Sequence, residues 1–251
     1  MTMRVALLFV LASLMAGCVS SGSTNPMRTP EGRDEARDAY IELGIGYLQQ
    51  GEASRAKTPL RKALELDPNS ADAHAALALV FQTEMENQLA DEHYRKALSS
   101  HNDARILNNY GSFLFEQKRY QEAMDRFTKA AEDNLYPGRS HVFQNMGMTA
   151  LMLDQREQAE TYFTRALRLD SRQPRALLEL AVMAYEDKQF VPAKRYYEAF
   201  SSLSEQNARS LLLGIRLAKI HQDRDLAASL GLQLKRLYPG TPEYLQYLSE
   251  Q

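Results

Sequence analysis

RDAYIELGIGYLQQGEASRAKTPLRKALELDPNS, residues 37–70, is the stretch that decides the fold. Ala56 and Ala63 stand seven residues apart, two helical turns, with Leu60 between them on the same face. Tyr40, Leu43, Gly44 and Tyr47 fall on an earlier segment, and Pro68 closes the stretch. Outward from here the register recurs: Ala56, Ala90, Ala123, Ala159, Ala193 and Ala227 follow one another at 34, 33, 36, 34 and 34 residues. The second alanine returns as Ala97, Ala130 and Ala166, and the bulky residue between them as Tyr94, Phe127, Phe163 and Tyr197.

A fixed period near 34 residues with this pattern is that of the tetratricopeptide repeat (TPR), a pair of antiparallel helices. Six units are predicted, at residues 37–70, 71–103, 104–137, 140–173, 174–207 and 208–241, within a repeat domain spanning 32–251. The last is the most degenerate, as expected of an end unit. Gly44, Gly111 and Gly147 share one register, where two helices should touch, and so read as packing positions rather than a phosphate-binding loop. Thr241-Pro242-Glu243 supplies an N-cap and a first-turn proline. A capping helix is therefore predicted over 242–250, with Tyr244, Leu245, Tyr247 and Leu248 on its apolar face. The fold expected is all-α, a right-handed superhelical solenoid presenting a long concave surface.

The N-terminus is a separate object. Arg4 precedes an apolar run, residues 5–14, of the length of a secretory h-region and too short to span a bilayer. It ends in Leu14-Met15-Ala16-Gly17-Cys18, the pattern of a bacterial lipoprotein signal, in which the cysteine thiol receives diacylglycerol. Residues 1–17 read as signal peptide and 18–31 as an acylated tether; the alternative is an ordinary signal peptide cut after Ala16. Cys18 is the only cysteine, so no disulfide can form within the chain, and acylation accounts for a lone thiol in an exported protein. More than one acyl chain gives stable anchoring. Val19 rather than aspartate after the cysteine points to the outer membrane, with the repeats on its periplasmic face.

Thirty basic residues face 32 acidic ones, and removing Arg4 with the signal leaves 29 against 32, a net charge of −3. That is no footprint for nucleic acid. The histidines, His74, His93, His101, His141 and His221, show no metal-ligand spacing, and no P-loop or nucleophile elbow occurs. His74 takes a position where many such repeats carry tryptophan and is expected to pack. Neither an enzyme nor a cofactor beyond the lipid on Cys18 is expected, and the chain is read as a monomer.

Binding should fall on the inner helices. Ile41, Ile45, Leu48 and Leu79 form an apolar strip at inner positions of the first two units. Arg105, Asn108, Asn109 and Phe115 in the third unit, with Asn145 and Met148 in the fourth, continue it. Asparagine can satisfy both an N–H and a C=O of a peptide backbone. Phe115 and the adaptable Met148 suit an apolar helix or strand. Ile41, Ile45 and Leu48 have a second reading, as packing beneath residues 31–39 or beneath the C-terminal end of a neighbouring helix. With Ile41 and Ile45 where chaperone-binding TPR clamps carry lysine and asparagine, such a clamp is not reproduced.

Three segments carry more than the repeat pattern: residues 33–41 (RDEARDAYI), 107–111 (LNNYG) and 207–218 (NARSLLLGIRLA). With the lipoprotein signal and six repeats, they make the chain similar to the PilF/PilW-type lipoproteins, the pilotins of type IV pili, over essentially the whole precursor. That resemblance implies an outer-membrane lipoprotein that binds the pilus secretin and promotes its localisation and multimerisation, hence pilus assembly and twitching motility. The other function compatible with the repeats is a periplasmic scaffold for another cell-envelope or peptidoglycan complex.

Overall fold

Thr29-Pro30-Glu31 starts the first helix by the same chemistry that Thr241-Pro242-Glu243 uses at the last. The Thr29 hydroxyl accepts the Gly32 N–H at 3.0 Å, and Pro30 fills the first helical position, where its missing N–H costs nothing. The first helix therefore begins at Pro30, seven residues before the expected start of the repeat, after a short 3-10 turn at Pro26–Arg28. A computed structural model of the chain describes residues 26–99 and 102–250. The signal peptide, Cys18 and most of the tether lie outside the described residues.

The described residues form thirteen α-helices and no strand. They divide into two units, at residues 97 and 98. The first holds α1 (Pro30–Gln49), α2 (Ala53–Leu66), α3 (Ala71–Thr83) and α4 (Asn87–Ala97). The second holds α5 (Ala104–Glu116), α6 (Tyr120–Glu132), α7 (Arg139–Met152), α8 (Arg156–Leu169) and α9 (Pro174–Glu186). It continues through α10 (Phe190–Ser201), α11 (Ala208–Ile220), α12 (Arg224–Leu237) and α13 (Pro242–Ser249). Within each unit, helices pack on those one or two places away in the chain.

The recurring residues make the helix pairs. Ala56, Ala90, Ala123, Ala159 and Ala193 are completely buried, as are Ala63, Ala97, Ala130 and Ala166. Phe127 and Phe163 are buried with them, and each ring closes over a glycine of the preceding helix. A Cβ placed on Gly111 would stand 2.6 Å from Phe127, and one on Gly147 2.5 Å from Phe163, closer than side chains tolerate. Gly44 meets Leu60 in the same way. Leu43, by contrast, is 47% exposed.

The turn inside each pair is equally regular. Gly51, Met85, Lys118, Asp154, Lys188 and Gln222 all have φ between 58° and 77°, at the spacing of the alanines. Each sits just after an inner helix, and the next N–H reaches back five residues, as Glu86 N–H does to the Phe81 carbonyl at 2.8 Å and Gln189 N–H to that of Ala184 at 2.8 Å. This is the left-handed C-terminal cap that satisfies otherwise orphaned carbonyls.

The last helix caps the second unit through two of the four residues expected on its apolar face. Tyr244 and Tyr247 pack on the cluster of Leu211, Ile215, Leu230 and Leu234, whereas Leu245 and Leu248 point outward, 62% and 49% exposed. A helix resting on one flank of a unit buries a narrow stripe, and the two rings, three residues apart, fill it. Tyr238 donates to the Gln206 carbonyl at 3.0 Å, and Arg216 pairs with Glu250. No helix among the described residues is long and apolar enough to cross a membrane.

Candidate functional site

In the first unit the apolar strip is largely core. Ile41 is 7% exposed and packs with Ala63 of α2 and Ala73 of α3, so it does not line a binding surface. Its partners come from the next two helices rather than from residues 31–39. Ile45 and Leu48 are half-buried against the cluster of Ala56, Leu60, Leu77 and Val80, with Ile45 also touching the Ile41 cluster. Leu79 is half-buried on α3.

His74 does pack, and it does so as part of a polar pair. The Pro68 carbonyl can only accept, so His74 Nε2–H must donate to it, at 3.0 Å. His74 Nδ1 is then left as an acceptor for His93 Nδ1–H, also at 3.0 Å, which ties α3 to α4 with both rings neutral. Burial, then the adjacent His74 ring, push the His93 pKa down to about 4.

The second unit holds the polar and aromatic candidates together. Asn145 on α7 donates its amide N–H to the Asn108 side-chain oxygen on α5, at 3.2 Å. The pairing leaves the Asn108 amino group and the Asn145 carbonyl oxygen with donor and acceptor capacity for a peptide backbone. Ser112 and Thr149 turn their hydroxyls back along their own helices, donating to the backbone carbonyls of Asn108 at 3.0 Å and Asn145 at 2.7 Å, so neither hydroxyl occupies an asparagine side chain. Beside them opens a pocket of about 300 Å³ lined by Ser112, Phe115, Glu116, Phe127, Asn145, Met148 and Arg175. Phe127 is the buried floor; Phe115 and Met148 are half-buried walls, with Phe115 set edge-on to Tyr120 at 5.3 Å. Asn109, half-buried, is not among the lining residues, and Arg105 is exposed, 3.8 Å from Asp103.

Next to this pocket lies a larger cleft of about 820 Å³, between the N-terminal halves of α7, α9 and α11 and the start of α13. Its fixed feature is a two-pronged ion pair: Arg209 of α11 donates to both carboxylate oxygens of Glu179 on α9, at 2.5 and 2.9 Å. Glu179 is 5% exposed, and its hydrogen bonds raise the Arg209 pKa further. Arg209 lies in the first turn of the segment 207–218, a turn held by a reciprocal cap between Asn207 and Ser210. Arg105, Arg175 and Arg209 each take the second position of a unit, so the repeat register that places Arg105 on the inner face also places Arg209 there; Glu179, at the sixth position of its unit, carries no such signal. Among the described residues no group of three metal-ligating side chains occurs.

Comparison with known proteins agrees with this architecture. The tetratricopeptide-repeat family models match residues 41–83, 102–172 and 145–208. Over all 251 residues, and over the whole of that protein, the chain is 60% identical to the type IV pilus assembly protein PilF of Pseudomonas aeruginosa. A solved structure from work on Pseudomonas aeruginosa PilF superposes with a TM-score of 0.86 at 61% identity, covering 88% of this chain and all of that one. The crystal structure of PilW, a widely conserved type IV pilus biogenesis factor, is similar at a TM-score of 0.71 and 30% identity, covering 84% of this chain and 98% of that one.

Proposed function

Since the chain belongs to the PilF family of type IV pilus assembly proteins, we propose that it is the lipid-anchored pilotin of the pilus secretin, holding secretin subunits at the outer membrane while they multimerise. The observation that carries this reading is 60% identity to PilF over the full length, in a chain whose inner helices line a pocket that we read as part of a trough for an extended peptide. Secretin subunits expose unpaired strand edges before they assemble, and such edges aggregate. The Asn108–Asn145 pair offers backbone hydrogen bonding, and the Phe115–Met148 pocket takes an apolar side chain. The signal ending at Cys18 supplies the address: acylation there would place the repeats at the periplasmic face of the outer membrane. The chain acts by binding, without chemistry of its own.

Two variants test the two halves of this reading. Cys18→Ala should keep the helical circular dichroism of the parent, lose palmitate labelling and leave the outer-membrane fraction. Asn145→Ala should stay lipidated and folded but lower the yield of secretin multimers and twitching, because it removes backbone hydrogen bonds of about 1–3 kcal/mol in a dry site. Palmitate incorporation into Cys18→Ala would overturn the anchor. Normal secretin multimers in cells carrying both changes would overturn the pilotin role.

A further inference from the structure

At one repeat position of the second unit the basic side chains have acidic neighbours, with one exception. At the second position of its successive repeat units stand Arg105, His141, Arg175 and Arg209. Arg105 has Asp103 at 3.8 Å, His141 lies in the field of Asp170, and Arg209 is clamped by Glu179 with Glu243 also acting on it. Arg172, on the rim of the larger cleft, shares the field of Asp170. Arg175 has no ion pair and no side-chain hydrogen bond among the described residues, and it is exposed. It also lines both cavities: the apolar pocket with Phe115 and Met148, and the cleft floored by Glu179 and Arg209. A guanidinium left without a carboxylate, where two recesses meet, is placed to take one from a ligand. Arginine does this with paired, charge-assisted hydrogen bonds.

We propose that the trough of the second unit selects an extended peptide in which an apolar side chain is followed closely by a carboxylate, the apolar group seating against Phe115 and Met148 and the carboxylate on Arg175. This rests on the reading of the trough as a peptide-binding surface, and does not depend on the peptide belonging to a secretin. Glu116, the acidic residue lining the small pocket, has an interaction of its own, and Arg175 is the basic residue that lines it. Glu179 does not compete for it, because both of its carboxylate oxygens already accept from Arg209.

The test uses the full chain in detergent micelles and fluorescence anisotropy with labelled short peptides. Each carries one phenylalanine in a glycine–serine background and, within a few residues of it, either glutamate or glutamine. The expected result is a preference for the glutamate peptides of about tenfold at low salt, fading as ionic strength rises. Arg175→Gln should abolish that preference while leaving affinity for the glutamine peptides within about twofold. Arg175→Glu should shift selection to peptides with lysine in place of glutamate. Arg175 is exposed, so both variants should keep the parental circular dichroism, and Lys235→Glu on α12 should change nothing.

Equal affinity of the parent for glutamate and glutamine peptides overturns the proposal, as does a preference that survives in Arg175→Gln. Absence of binding to every peptide overturns it together with the trough as a peptide surface. The pilotin reading is judged separately: loss of secretin multimers in Asn145→Ala, with no glutamate preference in the peptides, would leave that reading standing and remove only the role of Arg175.

Discussion

His93 shows how one buried ring ties stability to pH. Its imidazole is neutral in the fold and has a pKa near 4, whereas in the unfolded chain it protonates around the ordinary 6.5. A depressed histidine pKa means that the unfolded chain binds more protons below 6.5, so stability falls as pH drops from there towards 4 and then levels off. The His74 pKa is lowered too and adds in the same direction. With allowance for partial solvent access, His93 should account for roughly 1–2 kcal/mol of that loss. Urea melts at pH 7 and pH 4.5 should show a smaller difference for His93→Gln than for the parent. An unchanged difference would mean that the ring is solvated. His74 was legible as a packing position because it occupies the tryptophan site of the repeat. Its hydrogen-bond partner was not, since nothing in sequence spacing says that a side chain on the second helix will reach it.

At the scale of the helix pair, the turns carry a cost that the chain has left in place. Lys118, Lys188 and Met85 adopt a left-handed conformation that glycine takes freely, as Gly51 does in the first pair. Lys188→Gly should therefore raise stability by about 0.5–1 kcal/mol, less the entropy that glycine adds to the unfolded chain, and Gly51→Ala should lower it by a similar amount. Thermal melts of the two variants, moving in opposite directions, would check both.

Thr241-Pro242-Glu243 caps a helix as its composition predicts, and the identical Thr29-Pro30-Glu31, which lies before the alanine register begins, starts the longest helix among the described residues. Of the residues expected on the inner face, Phe115 and Met148 line a pocket and Asn108 lies beside it, whereas Ile41 takes the packing reading that the sequence left open. Neighbouring helices turn opposite flanks to each other, so residues one position apart, about 100° around the axis, decide between groove and core. The asparagines show the same offset, the fifth position of one unit bonding to the sixth of the next.

For the molecule as a whole, the period of the alanines was enough to read the class and the packing register, because close-packed helices leave no freedom in which residue is small. Ala159→Leu should accordingly lower stability by about 1–3 kcal/mol through overpacking against a completely buried site. In an array of nearest neighbours the damage should be graded. Hydrogen exchange should quicken most in α7, α8 and α9 and least in α12, and uniform acceleration across the second unit would show it to be a single cooperative block.

The habit of each helix of packing only one or two places along the chain also governs how fast order can arise. Nearly every partner of Phe127 or Phe163 is made within a few dozen residues of it, so the loops to be closed are short and the entropy to be surrendered before any gain is small. Chains of such low contact order reach their native state in microseconds to milliseconds. A nucleus can form at any alanine-and-ring pair and spread in both directions. The second unit should thus begin to fold as soon as any two consecutive repeats are free, without waiting for its last helix.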